Sequence, residues 1–379
     1  MTCTIEEIER DWGITSTAPS VVLDAFERVE RILGRDWIAQ IRAPFGGHAP
    51  GAAPFLDVVS MGGRLGVLDG IEAPERLIAR LRRHDRSAEA ELTAMHLLHC
   101  RNRTAEIELE PDVSARRSVR KADFRIRLPG GTWTYVEVTS PNVSEARERV
   151  TVILDRITGL LWEVRREFAL EVFFKREPRE DELETLCVRI RRFCSEGKRE
   201  REEVGDLALL ILSSVRPGQI TPHEEANGQV TARLAMAKVL GGGAQPRRHI
   251  VARIPYADQR ADKFLADEAA QLDRGYPGLI MVDASGEPAA FTSWGPILAR
   301  RFQPRIHTRV GGMCLFAPHL LPVENNLLWV LKVQLRVNPH AKLALPEWIR
   351  EAVEEAARDF GMCWAAAQTP SGAPPESAV

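Results

Sequence analysis

The stretch from Lys121 to Pro141 constrains this chain most, because it predicts a β-hairpin that carries acidic side chains. It reads KADFRIRL, then the turn PGG, then TWTYVEVTSP. Two runs rich in β-branched and aromatic residues around a Pro-Gly-Gly turn are typical of two antiparallel strands. Side chains alternate between the faces of a strand, so Asp123 leaves on the polar face of the first strand. Glu137 and Thr139 leave together on the polar face of the second.

The length of the turn decides which acids face each other. A three-residue loop over 129–131 pairs Leu128 with Thr132, and counting outward places Asp123 opposite Glu137. A loop one residue shorter or longer would break this pairing, because a one-residue slip moves every side chain to the other face. Opposed carboxylates with Cβ atoms roughly 5 Å apart repel and call for a cation. Mg²⁺ suits such a pair; the alternative is a polar hairpin face in contact with solvent.

Composition limits the classes of protein to consider. The chain has 379 residues, 44% of them apolar, which is enough for one large domain or two to three ordinary ones. A net charge of −2 gives no general attraction to nucleic acid, so any such binding must come from local basic patches. The six cysteines show no CxxC spacing and are typical of reduced thiols. Without a signal peptide or an apolar run of roughly 18 residues, we expect a cytoplasmic protein with no membrane segment.

The order of the predicted elements indicates an α/β layered fold, because strands alternate with amphipathic helices. We expect a mostly helical N-terminal region over 1–84 and an α/β domain with a C-terminal extension over 85–362. The tail 363–379 ends in AQTPSGAPPESAV and is expected to be disordered. No phosphate-binding loop, dinucleotide fingerprint, HExxH or GxSxG motif is present.

One predicted helix within residues 85–362 carries a third candidate acid, Glu91. At 100° per residue Glu91 falls inside the apolar arc formed by Ala88, Leu92, Met95 and Leu98. A carboxylate on the buried stripe of a helix is costly unless it is paired or bound to a metal. The preceding predicted helix carries arginines at 76, 80, 82, 83 and 86. Such charge runs are more often a solvated face than a phosphate-binding patch.

The spacing from Glu91 to Asp123 in DFRI, and then fourteen residues on to Glu137 in Glu-Val-Thr, resembles the PD-(D/E)XK superfamily of restriction-endonuclease-like nucleases. That family places an acid on the first helix, an aspartate at the start of the second strand and Glu-x-Lys on the third. The resemblance covers roughly residues 85–140. It implies a mixed central β-sheet flanked by helices.

The resemblance also implies a site and its partners. Asp123, Glu137 and the backbone carbonyl of Val138 would hold Mg²⁺ or Mn²⁺, and Glu91 would help to hold that ion or a second one. Such an ion polarises a scissile phosphate and generates a hydroxide nucleophile. The substrate would be DNA or RNA, and a homo-oligomer is possible. A rim that binds backbone phosphates is expected at Arg116, Arg117, Arg120 and Arg125.

Thr139 stands where the family has its lysine. That lysine stabilises developing negative charge or orients water, and a neutral hydroxyl cannot do the former. Lys121, on the same strand face as Asp123, is the candidate replacement, and Arg125 is the other nearby cation. Two readings stay open at this point. The chain is a metal-dependent nuclease, or it is a degenerate relative that binds nucleic acid or a protein partner without cutting.

Overall fold

The structure is a computed structural model, and it divides into two compact units. The first comprises Met1–Pro141, Asp262–Ser285 and Leu298–Val379, and the second comprises Asn142–Ala261 and Gly286–Ile297. The residues described are 4–45, 49–113, 120–142, 145–197, 200–214, 229–236, 248–255, 260–287, 290–323, 326–358 and 367–368. The boundary expected at residue 84 therefore falls inside the first unit, and a part of the expected 85–362 domain forms the second.

The helices and strands follow in chain order. The α-helices are α1 (Ile5–Trp12), α2 (Pro19–Ile32), α3 (Arg35–Arg42), α4 (Ala52–Leu65), α5 (Glu75–Arg82), α6 (Arg86–His99), α7 (Glu145–Leu161), α8 (Glu180–Glu196), α9 (Arg260–Ala269), α10 (Ala290–Arg301) and α11 (Glu347–Arg358). Short 3₁₀ turns lie at Ala43–Phe45, Gly66–Leu68 and Ala284–Gly286. The strands are β1 (Thr15–Ser16), β2 (Glu106–Leu109), β3 (Asp112–Val113), β4 (Arg120–Lys121), β5 (Phe124–Arg127), β6 (Thr134–Thr139), β7 (Phe168–Phe174), β8 (Arg201–Val204), β9 (Ala208–Ser213), β10 (Gln229–Met236), β11 (Arg248–Pro255), β12 (Gly278–Asp283), β13 (Val310–Val323), β14 (Asn326–Val337) and β15 (Ala367–Gln368).

The N-terminal region is mostly helical, as predicted. Val22, Phe26 and Val29 recur at helical spacing on α2, and all three are buried. Helix α2 packs closely on α4 at Gly62, where an added Cβ atom would lie 2.2 Å from the carbonyl oxygen of Ala25. This contact requires glycine, because any larger residue would push the two helices apart.

The first unit contains a mixed sheet in the order β1-β15-β14-β13-β12-β6-β5-β2. Strand β12 is parallel to both β6 and β13, while the other pairs are antiparallel. Helices α4, α6 and α11 contact this sheet. Their apolar side chains form one core with Val136, Val138, Leu279 and Met281 of the strands. The predicted α/β class, with a mixed sheet flanked by helices, is confirmed.

The hairpin has the predicted register. Phe124 lies opposite Val136, and Ile126 lies opposite Thr134. Extending the same register outward by one residue places Asp123 opposite Glu137. The turn is closed by the Gly131 N–H, which donates to the Leu128 carbonyl at 2.8 Å.

The alternative of a polar hairpin face in contact with solvent is wrong for the second strand. Strand β6 lies between β5 and β12, so it is a central strand of the sheet. Glu137 is only 2% exposed, and its neighbour on β12, Ile280, is fully buried. Alternation of polar and apolar residues predicts contact with solvent only where nothing covers the polar face. Here that face is covered.

The second unit has its own sheet and its own core. Its strand order is β10-β11-β7-β9-β8, with β7 parallel to β11 and antiparallel to β9. Helices α7 and α8 contribute apolar stripes to a core that includes Ile157, Leu161, Phe168, Leu170 and Leu186. Its strands follow the same sequence pattern as those of the first unit, which is why both were predicted to lie in one domain.

The structure bears on two further expectations, which concern a membrane segment and the tail 363–379. No helix in the part of the chain that is described is long and apolar enough to cross a membrane. Of the predicted tail 363–379, only Ala367–Gln368 is described, as the short strand β15 that pairs with β1 and β14. The other tail residues lie outside the described ranges.

Candidate active site

The centre of the site is the pair formed by Asp123 and Glu137. Asp123 lies in the bend just before β5, and its Oδ2 accepts a hydrogen bond from the Val138 N–H at 2.7 Å. Its carboxyl group is within hydrogen-bonding reach of the Glu137 carboxyl. Glu137 Oε1 is buried and has no hydrogen-bond partner among the described residues. The hairpin thus fixes one carboxyl group firmly and leaves one oxygen of the other without a donor.

Burial dominates the electrostatics of this pair. Burial, followed by the charge of Asp123, raises the pKa of Glu137 to about 10. Burial also raises the pKa of Asp123, while the Val138 N–H and the positive charge of Arg80 oppose that shift. Near neutral pH Glu137 therefore carries a proton. Asp123 is the more acidic of the two, because it accepts a hydrogen bond that stabilises its charged form.

Glu91 of α6 is the third acid of the group. Its side chain is 14% exposed, which confirms that it belongs to the buried side of the helix. Burial, and then the charge of Asp123, raises the pKa of Glu91 to about 7, and Arg80 opposes this shift. The structure therefore brings together all three acids that the sequence predicted, since each one affects the ionisation of another.

Glu268 of α9 is a fourth acid, which the sequence analysis did not select. Thr139 forms a hydrogen bond with its carboxyl group, and the Gln271 side-chain amide donates to its Oε2 at 2.7 Å. Burial, and then the charge of Asp123, raises the pKa of Glu268. The sequence signal that could have found Glu268 is helical spacing, which places it on the same side as the apolar residues Leu265, Ala269 and Leu272. All three of these residues are buried.

Arg80 of α5 is a cation that contacts one of these acids, Glu91. Its Nη1 lies 2.8 Å from Oε1 of Glu91, and its Nη2 lies 3.1 Å from Oδ1 of Asp85. Arg80 is one of the five arginines that were read as a solvated helix face, yet its side chain is only 20% exposed. Packing of α5 against α6 turns this one arginine inward, which the run of charges could not show.

Lys121 and Arg125 have other partners. Lys121 Nζ lies 3.7 Å from Oε2 of Glu110, and no polar contact joins it to the acid pair in the described part of the chain. Arg125 Nε donates to Glu108 at 2.9 Å and Nη1 donates to the Tyr135 hydroxyl at 3.0 Å. Of the predicted basic rim, Arg116 and Arg117 lie outside the described residues. For Arg120 the structure gives only its backbone pairing with Val113 in β3.

The donor atoms fit a hard divalent cation such as Mg²⁺. All of them are oxygens, and the buried, unpartnered Oε1 of Glu137 is a free acceptor beside a second carboxylate. The N–H and C=O of one strand residue point to the same side, so the Val138 carbonyl is directed toward the side of Asp123. Among the described residues no three His, Cys, Asp or Glu side chains form a ready-made metal site. A two-carboxylate site completed by water is the arrangement typical of Mg²⁺.

Comparisons with known proteins add no identity. A scan against protein-family models, a search of curated proteins and a search of solved structures each give no match. What the site does must therefore be inferred from its own residues and from their resemblance to the nuclease motif.

Proposed function

We propose that the acid cluster hydrolyses phosphodiester bonds of DNA or RNA with Mg²⁺ or Mn²⁺, in the manner of the PD-(D/E)XK nucleases. The observation that carries this proposal is the buried carboxyl pair of Asp123 and Glu137, in which one oxygen lacks a donor. Opposed buried acids are costly to a fold, so their presence favours a role that needs them. The position of Glu91 supports the same family, whereas Thr139 departs from its motif.

Asp123, Glu137 and the carbonyl of Val138 would hold the ion. When bound, it would polarise the scissile phosphate and lower the pKa of a water molecule. Asp123 needs no reorganisation for this, because the Val138 N–H already fixes it. Glu137 would give up its proton when the cation enters, since a metal ligand must be deprotonated.

Two further pairs of residues, Glu268 with Thr139 and Arg80 with Glu91, would assist the reaction. Glu268 accepts a hydrogen bond from Thr139, and burial raises its pKa, which makes it a better acceptor of a proton from water. Arg80 places a permanent positive charge against Glu91. We propose that this charge replaces that of the family lysine, because Arg80 contacts Glu91 whereas Lys121 is paired with Glu110 instead.

One observation favours a second candidate function. Thr139 is hydrogen-bonded to Glu268, and Lys121 is paired with Glu110, so neither position supplies a lysine in contact with the acids. A protein that keeps the fold and binds nucleic acid or a protein partner without cutting would show the same arrangement. Its acids would then have no catalytic purpose.

Cleavage assays on single-stranded DNA, double-stranded DNA and RNA with Mg²⁺ or Mn²⁺ test the proposal. Asp123→Asn and Glu137→Gln should each reduce the cleavage rate about 100-fold or more, since each removes a charged ligand. Both substitutions keep side-chain volume, which matters because Glu137 is buried and truncation to alanine would leave a cavity. Glu106→Gln, at an exposed carboxylate that pairs with Arg127 on the same sheet, is the matched control.

The result that overturns the proposal is specific. If the wild-type protein binds nucleic acid but cuts none of these substrates, and Thr139→Lys does not produce cleavage, the binding function is the correct one. Circular dichroism and melting curves of each variant establish that any loss of cleavage is not a loss of fold.

A further inference from the structure

A small basic cavity lies in the first unit, apart from the acid cluster. Its volume is about 160 Å³, and it is lined by Arg274, Tyr276, Thr308, Arg309, Lys342 and Leu343. Three of these six residues are cations and none is an acid. We call this cavity the phosphate pocket, for the reasons that follow.

The positive charges of the phosphate pocket are not neutralised by the protein. Burial, and then the neighbouring charge of Arg274, lowers the pKa of Arg309. Across the described ranges, the side chains of Arg274, Arg309 and Lys342 form no ion pair and no hydrogen bond. Arg301, by contrast, is paired with Asp262 in the same unit. Adjacent like charges that form no ion pair with a described carboxylate favour the binding of an anion.

The loops that carry these cations are held in place by hydrogen bonds. The Lys342 N–H donates to the Thr308 carbonyl at 2.7 Å, which ties two walls of the pocket together. Asn338, only 3% exposed, donates from its side-chain amide to the carbonyl of Val310 at 2.8 Å. On the third wall, Asp273 Oδ1 accepts from the Gly275 N–H at 2.7 Å, beside Arg274. The backbone that carries the cations is therefore fixed before a ligand binds, and only their side chains remain to be ordered.

An aromatic side chain connects the phosphate pocket to the sheet face of the acid cluster. The Tyr276 ring lies 5.3 Å from the Tyr135 ring, centroid to centroid, with an interplanar angle of 35°. Tyr135 is two residues before Glu137 on β6, so both side chains leave on the same face. Tyr276 is 36% exposed, which leaves part of its ring open to a ligand. Aromatic rings of this kind bind unstacked bases.

We infer that the phosphate pocket binds the terminal phosphate of a nucleic-acid strand, whose end base stacks on Tyr276. A terminal phosphate monoester carries a charge of about −1.5 to −2 at pH 7 and offers three acceptor oxygens, whereas a backbone diester carries a single charge. Three cations match the monoester better. A cavity of about 160 Å³ has room for one phosphate group. This inference rests on the proposed function for its substrate class.

Fluorescence anisotropy in the presence of EDTA tests the inference without cleavage. Three labelled single strands of one sequence are compared: one with a 5′-phosphate, one with a 3′-phosphate and one with neither. We expect one of the phosphorylated strands to bind about tenfold more tightly than the unphosphorylated strand, and inorganic phosphate to compete for that difference. Arg309→Gln and Lys342→Gln should remove the difference, whereas Arg300→Gln, at an exposed arginine outside the pocket, should preserve it.

Failure of this inference can be told from failure of the proposed function. Equal binding of all three strands, or a preference that survives Arg309→Gln, overturns the phosphate pocket even if the protein cuts nucleic acid. A preference that Arg309→Gln removes, in a protein that cuts nothing with Mg²⁺ or Mn²⁺, supports the pocket and overturns the nuclease. The phosphorylated strand that binds more tightly identifies the end that is recognised.

Discussion

The protonated state of Glu137 leads to a quantitative prediction about pH and stability. The folded pKa of Glu137 is raised to about 10, above its ordinary value of 4.5. The folded protein therefore binds one proton more than the unfolded chain does between these two values. The stability that this proton contributes is fully present below pH 4.5 and is lost as the pH rises toward 10. Glu137→Gln keeps the size of the side chain and removes the proton, so the variant should not show this loss.

The magnitude follows from proton linkage. One proton changes the free energy of unfolding by about 1.4 kcal/mol per pH unit. From pH 7 to pH 9 the wild-type protein should lose about 2.7 kcal/mol that Glu137→Gln keeps. For a domain of 150–250 residues this corresponds to a difference of about 5–10 °C in melting temperature. Glu137 is 2% exposed, so solvent does not screen the effect.

Melting curves measured in EDTA at half-unit pH steps give the result directly. Glu354→Gln, at an exposed carboxylate of α11, serves as the control for removing one negative charge. The quantity to compare is the slope of melting temperature against pH. If wild type and Glu137→Gln have the same slope between pH 7 and pH 9, Glu137 is ionised over this whole range. The assignment of a proton to Glu137 is then wrong.

Three further predictions concern the metal, the cation and the helix packing. Mn²⁺ should raise the melting temperature of the wild type more at pH 8 than at pH 6, because binding displaces a proton, and Glu137→Gln should remove this rise. In cleavage assays Lys121→Ala should change the rate by less than about twofold, while Arg80→Gln should reduce it about tenfold or more, because only Arg80 contacts an acid of the site. Urea unfolding should show that Gly62→Ala costs about 1–3 kcal/mol, whereas Gly66→Ala, whose added Cβ atom meets nothing closer than 3.5 Å, should cost less.

Local patterns were sufficient for the hairpin and for the helical N-terminal region. The register that places Asp123 opposite Glu137 depends only on the number of residues in one turn, and neighbours in sequence determine it. The burial of Glu137 could not be predicted in the same way. Its surroundings include β12, where Ile280 pairs with Glu137 from 143 positions further along the chain. No local pattern identifies a strand partner at that distance.

The site shows the same limit in its other residues. Glu91 was found because an acid on an apolar helix stripe is unusual, and Glu268 offers the same signal on α9. Only Glu91 also stood at a motif position, so only Glu91 was selected. Arg80 could not be separated from the other arginines of its run, since its role comes from a contact between two helices. The division into two units escaped notice because sheet membership, unlike strand pattern, is a tertiary property.

The placement of residues 142–261 between β6 and β12 has a consequence for synthesis of the chain. The ribosome completes the hairpin with Asp123 and Glu137 long before it makes Glu268 and the strand that borders β6. Until then one edge of β6 has no partner, and pairing between strands so distant in sequence is slow. A nascent chain that stops at residue 261 carries two of the four acids of the cluster on an unfinished sheet, together with Glu91 from α6. The fourth acid and the strand that borders β6 are complete only once Asp283 has been made, so whatever chemistry the cluster performs begins only when most of the chain exists.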